Sequence, residues 1–189
     1  AMGCTDPIAV AYCAAVANRT LGQHVDRIVV EASGNIIKNV KSVVVPNTGH
    51  LRGIPAAAAA GIVAGNPDKQ LEVISDVTTE QQAEIARFLE QTPIEVKLAE
   101  SDLIFDIIVT AWHGQSYAKV RIANYHTNIV HVEKDSQMLQ HIDVKDESEE
   151  GLTDRSILTV ERILDFANTV EIADVKPLLD TQISYNMAI

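Results

Sequence analysis

The sequence has few aromatic residues and is short of positive charge. Phe, Trp and Tyr make up only 4% of the 189 residues, so the core must be built from Ala, Val, Ile and Leu. Fifteen Lys and Arg residues face 26 Asp and Glu residues, which gives a formal net charge of −11. We therefore expect no nucleic-acid partner and no anionic membrane partner, because both require a basic protein face.

Long apolar runs and a cysteine framework are also missing. The longest apolar runs, Ile8–Ala17 and Ala56–Gly65, are shorter than the roughly 20 residues needed to span a bilayer. No basic region followed by an apolar one marks a signal peptide, and two cysteines cannot form a disulfide framework. These features indicate a cytoplasmic, reducing location. The 47% hydrophobic and 22% charged residues are typical of a globular protein.

Helical signals dominate the first half of the chain and strand signals the second. Pro7 favours the first turn of an Ala-rich helix that Gly22 ends, and Gly53–Gly65 predicts a second helix of small residues. The types of Asn35–Val45 and Leu71–Val77 stay open. From Pro93 the apolar period is two, and His113-Gly114 is a hairpin signal, so this half predicts an antiparallel β-meander. The fold class is therefore α+β.

An acidic segment separates the last part of the chain from the rest. Residues 142–151 lack an apolar period and indicate a solvated loop or linker. Apolar residues then recur at helical spacing, so 152–189 is predicted to hold C-terminal helices.

Cys4 is the most informative residue for chemistry. It precedes a predicted helix N-terminus, where free amides and the helix dipole favour a thiolate. A thiolate serves as a nucleophile or an iron–sulfur ligand, whereas the alternative is a small buried residue in a Gly-Cys turn. Cys13 lies inside an apolar helical run and is predicted to fill the core.

Three further segments carry polar groups that suit a ligand. In 33–39, Lys38 is either a Schiff-base lysine or simply solvated. In 47–53, Arg52 and backbone amides suit a carboxylate or phosphate, and the alternative is a plain turn. In 126–128, His126 is a candidate acid–base group, and the alternative is that the hydroxyl and amide of this segment only make local turn bonds.

Together these segments resemble a known enzyme family. Gly-Cys-Thr-Asp-Pro (3–7), Ser-Gly-Asn-Ile-Ile-Lys-Asn (33–39), Pro-Asn-Thr-Gly (46–49) and His-Thr-Asn-Ile-Val (126–130) occur in this order. The combination resembles the L-cysteine desulfidase family, which is related to the iron–sulfur-dependent L-serine dehydratase alpha chain. The resemblance covers the chain up to the acidic segment and is looser beyond it.

The resemblance implies a lyase that eliminates a β-substituent without pyridoxal phosphate. In that family three cysteines hold a four-iron, four-sulfur (4Fe-4S) cluster, and the first of them corresponds to Cys4. The expected substrate is a small amino acid, L-cysteine or L-serine, and the products are pyruvate and ammonia, with sulfide from cysteine. His126 or Lys38 is expected to transfer the proton. The expected substrate-binding residues are polar positions of the motifs: Ser33, Asn35, Asn39, Thr48, Gly49, Arg52, Thr127 and Asn128.

Two departures from the family pattern bear on these expectations. Asp6 stands where the family usually has Glu, and a three-cysteine site needs two thiolates besides Cys4, for which Cys13 is a poor candidate. Family members are longer and carry their other cysteines in a C-terminal half, so the 189 residues are interpreted as an N-terminal part of a larger lyase fold, inactive alone. The competing hypothesis is a non-catalytic small-molecule binding or assembly module, and a pyridoxal-dependent lyase using Lys38 is a third. The oligomeric state stays open, a homo-oligomer included.

Overall fold

The computed structural model describes residues 4–144 and 156–187, and its contacts divide the chain into two units, Ala1–Lys145 and Asp146–Ile189. The first unit contains four α-helices, a short 3-10 helix (Pro67–Glu72) and a six-stranded sheet. Its helices are α1 (Thr5–Leu21), α2 (Gly34–Val40), α3 (Gly53–Ala64) and α4 (Thr79–Gln91). Its strands are β1 (Arg27–Ala32), β2 (Ile94–Leu98), β3 (Asp106–His113), β4 (Ser116–Ala123), β5 (Ile129–Lys134) and β6 (Gln137–His141).

The sheet is mixed, with the order β2-β1-β3-β4-β5-β6. The α+β class is thus confirmed, and β3, β4 and β5 form the antiparallel meander that the alternating pattern predicts, with β6 added at its edge. The prediction was wrong at the other edge, because β2 pairs in parallel with β1 rather than joining the meander. Period-two alternation shows which side chains share a face but contains nothing about strand direction. The strand β6 was not predicted, and His141 is its last residue.

The α1 helix is the centre of the core. Residues 7–17 of α1 are all buried, which a helix that is apolar on every side requires. One side of α1 packs on β3 and β4, and another side packs on α3. Gly22 ends α1 in the left-handed conformation, with φ of 67°, as glycine at a helix C-cap commonly does.

The contact between α1 and α3 depends on small residues. A Cβ added at Gly61 would lie 2.1 Å from the carbonyl oxygen of Ala11 and 2.9 Å from the Cβ of Ala14. The two backbones therefore approach so closely that only glycine fits at this position. This close packing of the two helices fills the core without large aromatic side chains. It also fixes the position of the α1 N-terminus.

The two segments of undecided type are now assigned. The first contains most of α2, which Ser33 caps by accepting a hydrogen bond from the amide of Ile36. The second begins at the end of the 3-10 helix and continues as turns. The helix α4 follows these turns, and Thr78 and Gln81 form a complete capping box at its start.

The second unit contains α5 (Val160–Thr169) and α6 (Ile172–Met187) within its described residues. Thr159 caps α5. Large apolar side chains on both helices are exposed, among them Val160, Phe166 and Leu178. Most of the predicted acidic linker at 142–151 lies outside the described residues. None of the helices in 4–144 and 156–187 combines the length and the apolar content that a bilayer crossing needs.

Candidate functional site

Cys4 lies at the N-cap of α1, directly before the first helical residue. Its backbone is extended, with φ of −68° and ψ of 120°, and its side chain makes no capping hydrogen bond. The residue is exposed, so the sulfur is accessible instead of being buried among aliphatic side chains. A thiol at this position faces the positive end of the helix dipole.

Asp6, in the first turn of the same helix, joins three of the four motifs. Its Oδ1 lies 2.9 Å from Nε2 of His126, and its Oδ2 accepts a hydrogen bond of 3.0 Å from Nδ2 of Asn39. These partners are 120 and 33 residues away in the sequence. One carboxylate therefore holds together the start of α1, the last turn of α2 and the turn between β4 and β5. We call Asp6, Asn39 and His126 the Asp6 cluster.

His126 is held from two sides within this cluster. Its ring lies 4.4 Å from the ring of Phe105, centroid to centroid, at an interplanar angle of 56°. The side chain of His126 is 36% exposed and that of Asp6 is 18% exposed. Because Nε2 faces the carboxylate, Nδ1 is the ring nitrogen left to exchange a proton with a ligand. The arrangement is that of an imidazole oriented by a carboxylate.

The rest of the 126–128 motif shapes the turn. Asn128 donates from Nδ2 to the carbonyl of Ala123 at 3.0 Å, and its amide donates to the carbonyl of Tyr125. Asn128 therefore makes local turn hydrogen bonds, which was one of the two interpretations of this motif from the sequence. Thr127 is half-buried beside it.

Some polar residues of the 33–39 motif make structural hydrogen bonds, and others are exposed. Ser33 is buried, and its hydroxyl donates to the carbonyl of Ile104 at 2.7 Å. This bond ties α2 to the segment that leads into β3. Asn35 and Lys38 are exposed, and Asn39 is the member that reaches Asp6.

The 46–53 loop folds mainly on itself. Thr48 is 2% exposed, and its hydroxyl donates to the carbonyl of Val45 at 2.7 Å. Gly49 adopts the left-handed conformation, with φ of 68°. The guanidinium of Arg52 donates from Nη1 to the carbonyl of Ser42 at 2.8 Å. Within residues 4–144, no hydrogen bond or ion pair joins Arg52 to the Asp6 cluster.

Cys13 is separate from all of these groups. It is fully buried, and its sulfur lies 3.3 Å from the carbonyl oxygen of Val120. Burial raises the pKa of the Cys13 thiol far above its ordinary value of 9.0, so the residue stays protonated and fills the core, as the sequence predicts. Among the residues that the structure describes, no group of three or more His, Cys, Asp or Glu side chains could hold a metal ion.

The contacts of Asp6 were not predicted from the sequence. There, Asp6 is only the residue that replaces a Glu of the family pattern, because the partners of a carboxylate cannot be read from a local pattern. The signal that could have found them is the place of Asp6 in a motif with Cys4, opposite polar residues in two other motifs. The packing of Phe105 on His126 was not predicted either.

Comparison with known proteins finds UPF0597 proteins of several bacteria among the relatives. The chain is 55% identical over 189 residues to a UPF0597 protein of Desulfitobacterium hafniense, and 41% identical over 190 residues to one of Treponema denticola. It is 42% identical over 189 residues to a UPF0597 protein of Lachnoclostridium phytofermentans. Each match covers 100% of this chain but only 44%, 44% and 45% of the relatives. No family model and no solved structure matches. The chain is thus similar to UPF0597 proteins and spans less than half of their length.

Proposed function

We propose that the chain is the N-terminal portion of an iron–sulfur-dependent lyase that eliminates the β-substituent of L-cysteine or L-serine. The observation that carries the proposal is the Asp6 cluster, because a single carboxylate draws together three of the four motifs of the resemblance. An exposed thiol lies two residues from that carboxylate in the same helical turn. A cytoplasmic, reducing location and a small amino-acid substrate belong to the same proposal.

The described residues do not fit a complete 4Fe-4S cluster. Such a cluster requires three thiolates here, and Cys4 is the accessible one. Cys13 is protonated in the core and faces backbone carbonyls, so it cannot serve as a second ligand without unfolding α1 from the sheet. The chain thus fits one ligand, and the isolated chain should be inactive.

The chain's own residues supply the proton transfer and the substrate contacts in this proposal. His126, oriented by Asp6, accepts the α-proton of the amino acid at Nδ1. Lys38, exposed one residue before Asn39, is the alternative base. Arg52 and the amides of the 48–49 turn bind the substrate carboxylate, for which Arg52 would give up its contact with a backbone carbonyl.

An activity assay on the longest reading frame that contains this chain tests the proposal. After anaerobic reconstitution with iron and sulfide, pyruvate and sulfide release are measured with L-cysteine, and pyruvate release with L-serine. We expect Cys4→Ala to lose the cluster and the activity, and Cys13→Ala to keep both. Asp6→Asn should lower kcat by roughly 10²-fold or more with little change in KM, since general-base catalysis is worth this much.

Two results would contradict the proposal. The first is a reconstituted wild-type protein that holds a cluster but turns over neither amino acid. The second is a stoichiometric cluster on the isolated 189-residue chain, because its ligands would then have to include groups other than three thiolates.

A specific observation favours the second candidate, a binding or assembly module without catalysis. The helices α5 and α6 expose large apolar side chains, including Ile163 and Phe166, and such faces are typical of surfaces that pack on another protein segment. Under this alternative the Asp6 cluster would bind a small molecule without turnover. Calorimetry with L-cysteine and L-serine, beside the activity assay, separates the two candidates.

A further inference from the structure

The sheet face that α1 does not cover, called here the open face, carries a pocket that shares no lining residue with the Asp6 cluster. Strand register places Ile108, Arg121, His131 and His141 in one row across β3, β4, β5 and β6. These side chains line a cavity of about 180 Å³, together with Lys119 and residues of the segment that follows β6. The register shifts after Arg121 and again after Val132, and such bulges turn side chains out of the regular pleat.

The cavity is lined by basic and apolar side chains and by no acidic one among the described residues. This composition stands out in a chain with 26 acidic and 15 permanently basic residues. Lys119 makes no hydrogen bond or ion pair within residues 4–144, although its charge helps to lower the pKa of Glu133. Its three ammonium donors are therefore open to a ligand.

Arg121 is held rigidly in this wall. Its Nε and Nη2 donate to Asp106 at 2.8 and 2.7 Å, and Asp106 is fully buried. Asp106 also accepts a hydrogen bond from Ser101 at 2.6 Å. This bidentate ion pair leaves Nη1 of Arg121 without a partner inside the described part of the chain. Asp106 itself does not line the cavity. A preoriented guanidinium of this kind is well suited to oxyanions.

The two histidines complete the wall. Their Nδ1 atoms lie 3.5 Å apart, while Nε2 of His131 faces Glu133 at 3.0 Å and Nε2 of His141 faces Asp143 at 3.2 Å. The two carboxylates thus contact the Nε2 atoms, and the Nδ1 atoms of the two rings face each other along the row. An imidazolium at either position adds positive charge to the row and is stabilised by a bound anion.

We propose that this pocket binds a small oxyanion, a carboxylate or phosphate group, through Lys119 and Arg121. A cavity of about 180 Å³ has room for a group of the size of inorganic phosphate or a small carboxylate. Ile108 and Ile142 form the apolar part of the lining, where the ion pairs gain strength because water is partly excluded. The site does not depend on the lyase proposal.

NMR titration of the 189-residue chain tests this site. Inorganic phosphate and acetate are added separately at constant ionic strength, kept by sodium chloride, and the imidazole signals of His131 and His141 are followed. We expect saturable shifts at these two histidines with at least one of the anions, and none at His24 or His50. The anion with the lower Kd identifies the group as phosphate or carboxylate.

A charge-matched pair of variants gives the control. Lys119→Gln should weaken binding by about tenfold or more, as expected for the loss of a charge-assisted hydrogen bond. Lys97→Gln removes the same charge from the same face of the sheet, but at the far edge, where Lys97 forms an ion pair with Glu95. This variant should change the Kd of the anion by less than about twofold. His141→Gln, with folding checked by circular dichroism, gives a second variant in the pocket. Equal weakening by the two lysine variants, or no saturable shift with either anion, would overturn the proposal.

Discussion

Gly61→Ala is expected to destabilise the protein through the contact between α1 and α3. The added Cβ would lie 2.1 Å from the carbonyl oxygen of Ala11, whereas ordinary contact begins at 3.4 Å. The helices would have to separate by about 1 Å or more, because a close-packed interior has no space to absorb the methyl group. The residues on both sides of this contact are buried.

The magnitude follows from two opposing effects. Replacing glycine by alanine inside a helix favours folding by roughly 1 kcal/mol. Overpacking of a core costs about 1–3 kcal/mol and occasionally more, and separating two buried helices lies at the upper end of that range. We expect a net loss of about 2 kcal/mol in the free energy of unfolding. Urea denaturation followed by circular dichroism measures it.

Gly34→Ala is the matched control. It makes the same change in a helix, but the added Cβ meets only Leu98 Cδ1 at an ordinary distance of 3.8 Å. We expect this variant to be as stable as the wild type or more stable by about 0.4–1 kcal/mol. If Gly61→Ala matched or exceeded the stability of the wild type, the close approach of α1 and α3 would be wrong, and with it the position of the α1 N-terminus that carries Asp6.

Three further predictions concern other groups. A thiol reagent at pH 8 should modify only Cys4 in the native chain and both cysteines after denaturation, because burial keeps Cys13 protonated; two fast-reacting native thiols would refute this. Asp106→Asn should lower the free energy of unfolding, measured in urea, by about 2–3 kcal/mol. The loss is smaller than for a fully buried ion pair because the side chain of Arg121 is 29% exposed. An unchanged urea midpoint would contradict a stabilising ion pair between Arg121 and Asp106. The hydrogen bond from Tyr117, and then His131, lowers the pKa of Glu133 below its ordinary 4.5. The stability from this shift is therefore present above pH 4.5 and is lost as pH falls through the folded-state pKa, so thermal melts of wild type and Glu133→Gln should converge in acid.

Local patterns in the sequence were sufficient for most of the elements. Pro7 and Gly22 mark the ends of α1 because their backbone preferences act within one helical turn. The meander of β3, β4 and β5 follows from alternation and from the turn at His113-Gly114, since neighbouring strands need only a short connection. The strand β6 was missed because all five of its residues are exposed, so no apolar alternation marks it.

The candidate site was accessible to sequence reasoning only in part. The motifs contain Asn39 and His126, but nothing local shows that both reach Asp6. The roles proposed for Lys38 and Arg52 stay predictions, and the structure places Arg52 against a backbone carbonyl. The pocket on the open face of the sheet combines residues from four strands, so it exists only once the register is set.

Composition and periodicity alone determined that this chain is an α+β protein with a small-residue core and an acidic surface. These properties depend on residue type and on spacing within a few positions. Only the tertiary structure decided that β2 lies parallel beside β1, that Gly61 lets α3 reach α1, and that Asp6 meets a histidine 120 residues away. Such contacts depend on how distant segments pack together, which no local pattern of side chains specifies.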